Sequence, residues 1–69
     1  MEMIELTVNG EPLPVPEDST VQALLERLGC AGKRIAVERN GDIVPRSQHA
    51  EQKVQPHDRI EIVHAIGGG

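Results

Sequence analysis

The chain has 69 residues, a formal net charge of −4 and no Phe, Tyr or Trp, enough for one small domain that buries about 60 % of the surface its unfolded form exposes, with little room for a deep catalytic pocket. The acidic balance repels phosphate backbones and the missing aromatic rings remove the platforms on which bases stack, so nucleic acid is not an expected partner, and no apolar run approaches the roughly 20 residues that a bilayer span needs. The single cysteine, Cys30, excludes a small secreted fold stapled by internal disulfides.

The first residues, Met1 to Glu5, carry acidic side chains and alternation where a signal peptide would carry basic residues and then an apolar block, so the chain is expected to be cytoplasmic and unprocessed at that end. Ile4, Leu6 and Val8 alternate with Glu5 and Thr7, the period of a strand with one buried face. Asn9-Gly10 then predicts a tight hairpin turn, because both residues tolerate positive φ. The returning strand, Glu11 to Pro16, carries Pro12, Pro14 and Pro16 in phase with one another. Backbone N–H groups of successive strand residues point to opposite sides, so these prolines remove donors along one side only. That pattern predicts a sheet edge protected against pairing with another chain; the alternative reading is an irregular Pro-rich loop.

Asp18-Ser19-Thr20 offers capping oxygens, and Ser19 with Gln22 matches a capping box, so a helix is predicted from here. Its apolar stripe is Val21, Leu24, Leu25 and Leu28, with Gly29 and Gly32 available to end it. A helix of two or three turns is marginal alone and must pack on the sheet. Ile35 to Glu38 reads as a third strand, Asn40-Gly41 as a turn, and Ile43-Val44 as a short fourth strand ended by Pro45. Ser47 to Val54 reads as a loop or short helical turn, and Arg59 to Ile66 as the last strand, with Ile60 and Ile62 on one face. The predicted class is α+β, a mixed sheet of four to five strands packed on one helix. Residues 1–66 are expected to form the domain and 67–69 a flexible tail.

The three histidines, His49, His57 and His64, lack the spacing that a helix or short loop turns into a chelate, so no metal site is expected. His64, in phase with Ile60 and Ile62, reads as a partly exposed residue at the edge of the core, near enough to the tail to touch a partner. Cys30 reads as a semi-buried filler. The tail Gly67-Gly68-Gly69 has no Cβ, so it can extend into a channel too narrow for side chains. A carboxylate at Gly69 is ionised at neutral pH and can attack the α-phosphate of ATP when an enzyme positions both.

A strand-hairpin-helix-strands order ending in glycines resembles the ubiquitin-like β-grasp sulfur carriers, in particular the ThiS family of thiamine biosynthesis. The pieces that carry the resemblance are Val8-Asn9-Gly10-Glu11, Thr20-Val21 through Leu24-Leu25, Ile43-Val44-Pro45-Arg46-Ser47, Asp58-Arg59-Ile60-Glu61-Ile62-Val63 and Ile66-Gly67-Gly68-Gly69. The resemblance implies that a ThiF-like partner adenylates Gly69 with ATP and Mg²⁺. Sulfur from a persulfide donor then replaces AMP to give a thiocarboxylate, and a ThiG-like thiazole synthase takes that sulfur into the thiazole ring. Gly69 would be the carrier of adenylate and sulfur, Gly68 and Gly67 the threading tail, and the chain a co-substrate protein with no bound cofactor, not an enzyme. The same tail chemistry fits the small subunit of molybdopterin synthase, and the tail alone also fits a ubiquitin-like modifier. The chain departs from the family pattern at His49, where many relatives have an aromatic residue, and at His57, where they have Gly. The second departure predicts a turn without positive φ at position 57.

Overall fold

The computed structural model describes residues 2–64. In chain order these form β1 (Met3–Val8), β2 (Glu11–Pro16), α1 (Val21–Arg27), β3 (Ile35–Arg39), β4 (Asp42–Val44), a 3-10 turn at Arg46–Gln48, and β5 (Arg59–His64). The five strands make one mixed sheet in the order β2-β1-β5-β3-β4. Only the central pair, β1 and β5, runs parallel. Positions 65 and 66 of the expected last strand, and the expected tail Gly67, Gly68 and Gly69, lie outside the described residues.

Both hairpins turn on Asn-Gly with positive φ at each residue, Asn9 at 49° and Gly10 at 86°, Asn40 at 52° and Gly41 at 89°. That geometry matches the twist of the flanking strands. The prolines of β2 do what their spacing predicts. Thr7 and Asn9 donate their N–H groups to the carbonyls of Asp58 and Ile60, each at 2.9 Å, so alternate peptide groups of β1 face β5 and the rest face β2. Pro12, Pro14 and Pro16 stand opposite Thr7, Glu5 and Met3, the residues that point away from β2. Their missing donors therefore lie along the outer edge of the sheet, where no ladder is interrupted.

Helix α1 is capped by Thr20, one residue later than the capping box at Ser19 implied: Thr20 Oγ1 accepts from the Ala23 N–H at 3.1 Å. Ser19 is unavailable because its hydroxyl donates to the Pro16 carbonyl at 2.7 Å. The two N–H groups before Ala23 are also satisfied, Val21 donating to Gln52 O at 2.8 Å and Gln22 to His49 O at 2.9 Å. The first turn thus has no orphan donors, which lets a seven-residue helix stand without an acidic residue in that turn. At the other end, Gly29 has φ +75°. Its N–H bonds Glu26 O at 3.2 Å and that of Cys30 bonds Leu25 O at 2.8 Å, the Schellman arrangement. Leu28 falls on this cap and is 39 % exposed, so the buried stripe is Val21, Leu24 and Leu25.

The core is wholly aliphatic: these three side chains meet Leu6, Val15, Val37, Val44, Val54, Ile60 and Ile62, with Cys30 half-buried against them. His57 corrects the expectation for its turn, since it adopts φ +68°. Its N–H donates to Glu5 O at 2.7 Å, so the bend that delivers this bond to β1 is kept at the cost of a left-handed backbone. Relief of that strain, partly offset by the larger unfolded entropy of glycine, should make His57→Gly more stable by about 1 kcal/mol. A rise in Tm followed by circular dichroism checks this, and a fall would show that the imidazole contributes more than the strain removes.

Candidate functional site

The expected working residues, Gly67, Gly68 and Gly69, follow β5, so the site that can be built is the root from which they extend. β5 lies between β1 and β3, and each neighbouring hairpin sends an asparagine side chain to it. Ile62 donates its N–H to Asn9 Oδ1 at 2.8 Å, and Asn9 Nδ2 donates to Ile62 O at 3.4 Å. The Asn9 carboxamide thereby stands in for a further peptide group of β1 and carries the parallel ladder beyond the strand's own end at Val8. On the other flank, Asn40 donates its backbone N–H to Arg59 O at 2.8 Å and accepts from the Arg59 N–H through Oδ1 at 2.9 Å. The register of β5 is thus fixed from both sides, by Asn40 at its first residue and by Asn9 two residues before its last described one.

Asp58 locks the start of that strand. It is 5 % exposed; Oδ2 accepts from Arg39 Nε at 2.6 Å and from the Gln55 N–H at 2.7 Å, while Oδ1 accepts from Asn40 Nδ2 at 3.0 Å. Burial alone would raise the carboxyl's pKa. The Asn40 donor, the Gln55 N–H and the Arg39 donor and charge together outweigh burial and hold it below the usual aspartate value.

The histidines do not converge, and among the described residues no three His, Cys, Asp or Glu side chains form a group that could hold a metal ion. His49 is 5 % exposed, and its Nε2 lies 3.0 Å from Val44 O. A carbonyl can only accept, so Nε2 carries a proton there. With its main chain also bonded to Arg46 and Gln22, His49 ties β4 and the 3-10 turn to the helix start. A ring so buried serves the fold and offers nothing to a partner. His64 is exposed on β5, beside Ile35 of β3. The depression lined by Asn40, Gly41, His57, Arg59 and Glu61 is open to solvent and holds about 390 Å³. That shape suits a contact surface better than an enclosed reaction site.

With this geometry in hand, comparison with known proteins is decisive, for the ThiS family profile matches residues 2–69. The chain belongs to the ThiS family. The sulfur carrier protein ThiS of Bacillus subtilis is 37 % identical over 65 residues, which cover 93 % of this chain and 98 % of that protein. The crystal structure of the thiamine biosynthesis protein ThiS from Geobacter metallireducens superposes with a TM-score of 0.82 at 35 % identity, over 96 % of this chain and all of the other. The β-grasp order read for this ThiS-family chain is therefore also that of a solved relative. A thiazole synthase of Paramagnetospirillum magneticum is 46 % identical over 66 residues, 96 % of this chain but 20 % of that protein. The chain spans about a fifth of the length of the thiazole synthases it matches.

Reading the sequence missed the bracing role of this ThiS-family chain's Asn9, Asn40 and Asp58. Asn-Gly signals a turn through φ alone; that the two carboxamides also reach β5 depends on which strand lies between the hairpins. Two Asn-Gly turns in one short chain were the available sign of a shared task.

Proposed function

We propose that this chain is a sulfur carrier protein of thiamine biosynthesis and that the α-carboxylate of Gly69 is its working group. What carries the reading is that the family match runs through Gly67-Gly68-Gly69, directly beyond a last strand held in register from both flanks. In the first step a carboxylate oxygen of Gly69 attacks the α-phosphorus of ATP on a ThiF-like enzyme that holds Mg²⁺, forming the acyl-adenylate and releasing pyrophosphate. The terminal sulfur of a persulfide donor then displaces AMP from the carbonyl. Cleavage of the resulting acyl disulfide by a thiol leaves the thiocarboxylate and a new S–S bond. Gly67 and Gly68, lacking Cβ, thread the enzyme's channel.

On this reading the chain itself contributes no acid, base or bound cofactor to these steps and acts as a co-substrate. A ThiG-like thiazole synthase is the acceptor on this reading. It is supported by thiazole synthases that contain a segment 46 % and 41 % identical to this chain within their own polypeptides. We read the carrier as cytoplasmic; among the described residues no helix is long and apolar enough to cross a membrane.

Incubation with the activating enzyme, ATP, Mg²⁺ and a persulfide donor should add about 16 Da to the intact mass, the exchange of one carboxylate oxygen for sulfur. Transfer to purified thiazole synthase and its small substrates should then return the mass to its starting value as thiazole forms. An unchanged mass would defeat the reading, and adducts joined to other proteins would point to a modifier instead.

A further inference from the structure

The chain's two asparagines, Asn9 and Asn40, are each followed by glycine. Such a pair is chemically labile. The glycine nitrogen, with no Cβ beside it, can add to Cγ of the asparagine side chain; the bond from Cγ to Nδ2 breaks, and ammonia leaves with the proton that the glycine nitrogen gives up. Water opens the resulting cyclic imide at either carbonyl, giving aspartate or, with one more atom in the main chain, isoaspartate. The sum is carboxamide plus water giving carboxylate plus ammonium, with no change of oxidation state.

Backbone and access do not separate the two sites. The φ angles are 49° and 86° at Asn9-Gly10 and 52° and 89° at Asn40-Gly41. All four residues are exposed, and apart from chain neighbours no atom lies within 4 Å of where a Cβ on either glycine would stand. What differs is the hold on the carboxamide, which must swing free before its Cγ can meet the glycine nitrogen. At Asn40, Oδ1 accepts from the Arg59 N–H at 2.9 Å, and Nδ2, the leaving group, donates at 3.0 Å to the buried carboxylate of Asp58. At Asn9, Oδ1 accepts from the Ile62 N–H at 2.8 Å, but Nδ2 has only a neutral carbonyl, Ile62 O, at 3.4 Å. A hydrogen bond to an ionised acceptor is roughly twice as strong as one to a neutral acceptor, and the bond from Asn9 Nδ2 is longer than most.

We propose that Asn9 is a site of spontaneous covalent modification in the folded protein, losing ammonia to attack by Gly10, and that Asp58 guards Asn40 against the same reaction. The consequence is felt in β5. Isoaspartate at position 9 lengthens a two-residue turn by one main-chain atom and moves the carbonyl that Ile62 uses out of the side chain into the backbone. The modified protein therefore loses its hold on β5 two residues before His64.

Incubation of the folded protein at mildly alkaline pH, followed by tryptic mapping, reads both sites at once, since cleavage at Arg27, Arg39 and Arg46 places them on separate peptides. Each event adds about 1 Da, and enzymatic carboxyl methylation counts the isoaspartate. Asn9 should be lost on the order of tenfold faster than Asn40. In urea, where neither side-chain bond survives, the two should be lost at similar rates. The isoaspartyl fraction should show faster amide exchange at Ile62 than the unaltered protein. Asp58→Asn removes the charge from the guard and should speed loss at Asn40 several-fold more than at Asn9; an equal gain at both sites, or none, would overturn the guarding role. Equal rates in the folded protein would overturn the assignment of Asn9. So would faster loss at Asn40, which would point instead to His57, in the depression beside Gly41, as a base for the glycine proton.

Discussion

One alanine appended after Gly69 should abolish sulfur loading, with the mass gain of about 16 Da absent and Tm shifted by no more than about 1 °C. The appended residue converts the Gly69 carboxylate into a peptide carbonyl, which is no nucleophile toward ATP. A free carboxylate still exists, but it lies about 3.5 Å farther along the chain and beside a Cβ that a channel suited to glycine excludes. Misplacement by 1 Å can cost on the order of 10²-fold in a reaction that depends on near-attack geometry, so both faults together should remove detectable turnover. Cys30→Ser is the matching control. Cys30 closes the helix cap through its backbone N–H and sits half-buried beside the core, so its replacement should leave loading intact. Loading of the extended protein would mean that the sulfur rides elsewhere.

How far the sequence carried these conclusions depends on whether a residue's task is local. Asn9-Gly10 and Asn40-Gly41 announce their turns through the φ angles they tolerate, and the turns form where expected. The proline phase of β2 is equally local, since each missing donor is a property of one residue, and it placed that strand at an edge. Failures occurred where two neighbours could serve one role, or where a distant group decided. Ser19 and Thr20 both offer a hydroxyl, and only the bond from Ser19 to Pro16 O leaves the cap to Thr20. His57 takes a positive φ because its N–H must meet Glu5 on another strand. His49 reads only as a departure from a family pattern, and its burial against Val44 O was not foreseen. Of the candidate site, the glycine tail was legible as chemistry, whereas the bracing of its root was not, because Asn9 and Ile62 are 53 positions apart.

Asp58→Ala should be the most damaging of the substitutions considered for the fold, costing about 3 kcal/mol. The aspartate is the common acceptor for Arg39, Asn40 and the Gln55 N–H. Its removal leaves three donors unmatched at a site where the carboxyl itself is 5 % exposed. In a domain this small the loss is a large share of a total on the order of 5 kcal/mol, visible as a fall in Tm on the order of 15 °C. The same network gives the protein an acid limb. Because the folded state holds Asp58 below the usual aspartate value, the network's contribution is fully present above the unfolded carboxylate's pKa of roughly 3.9. It is lost as pH falls from there through the folded value, where protonation removes the charge that Arg39 and the neutral donors stabilise. Asp58→Asn keeps the size of the side chain and cannot titrate. Its stability should therefore start lower at neutral pH and decline less between about pH 4 and the folded pKa than that of the unaltered protein. Chemical denaturation across that range measures both curves, and parallel curves would show that Asp58 carries no linked proton. Since Asn40 joins this carboxylate to the Arg59 backbone, the Asp58→Ala protein should also hold β5 less firmly in register. Amide exchange at Arg59 and Ile60 should then accelerate more than exchange in α1, whose hydrogen bonds involve none of the three donors.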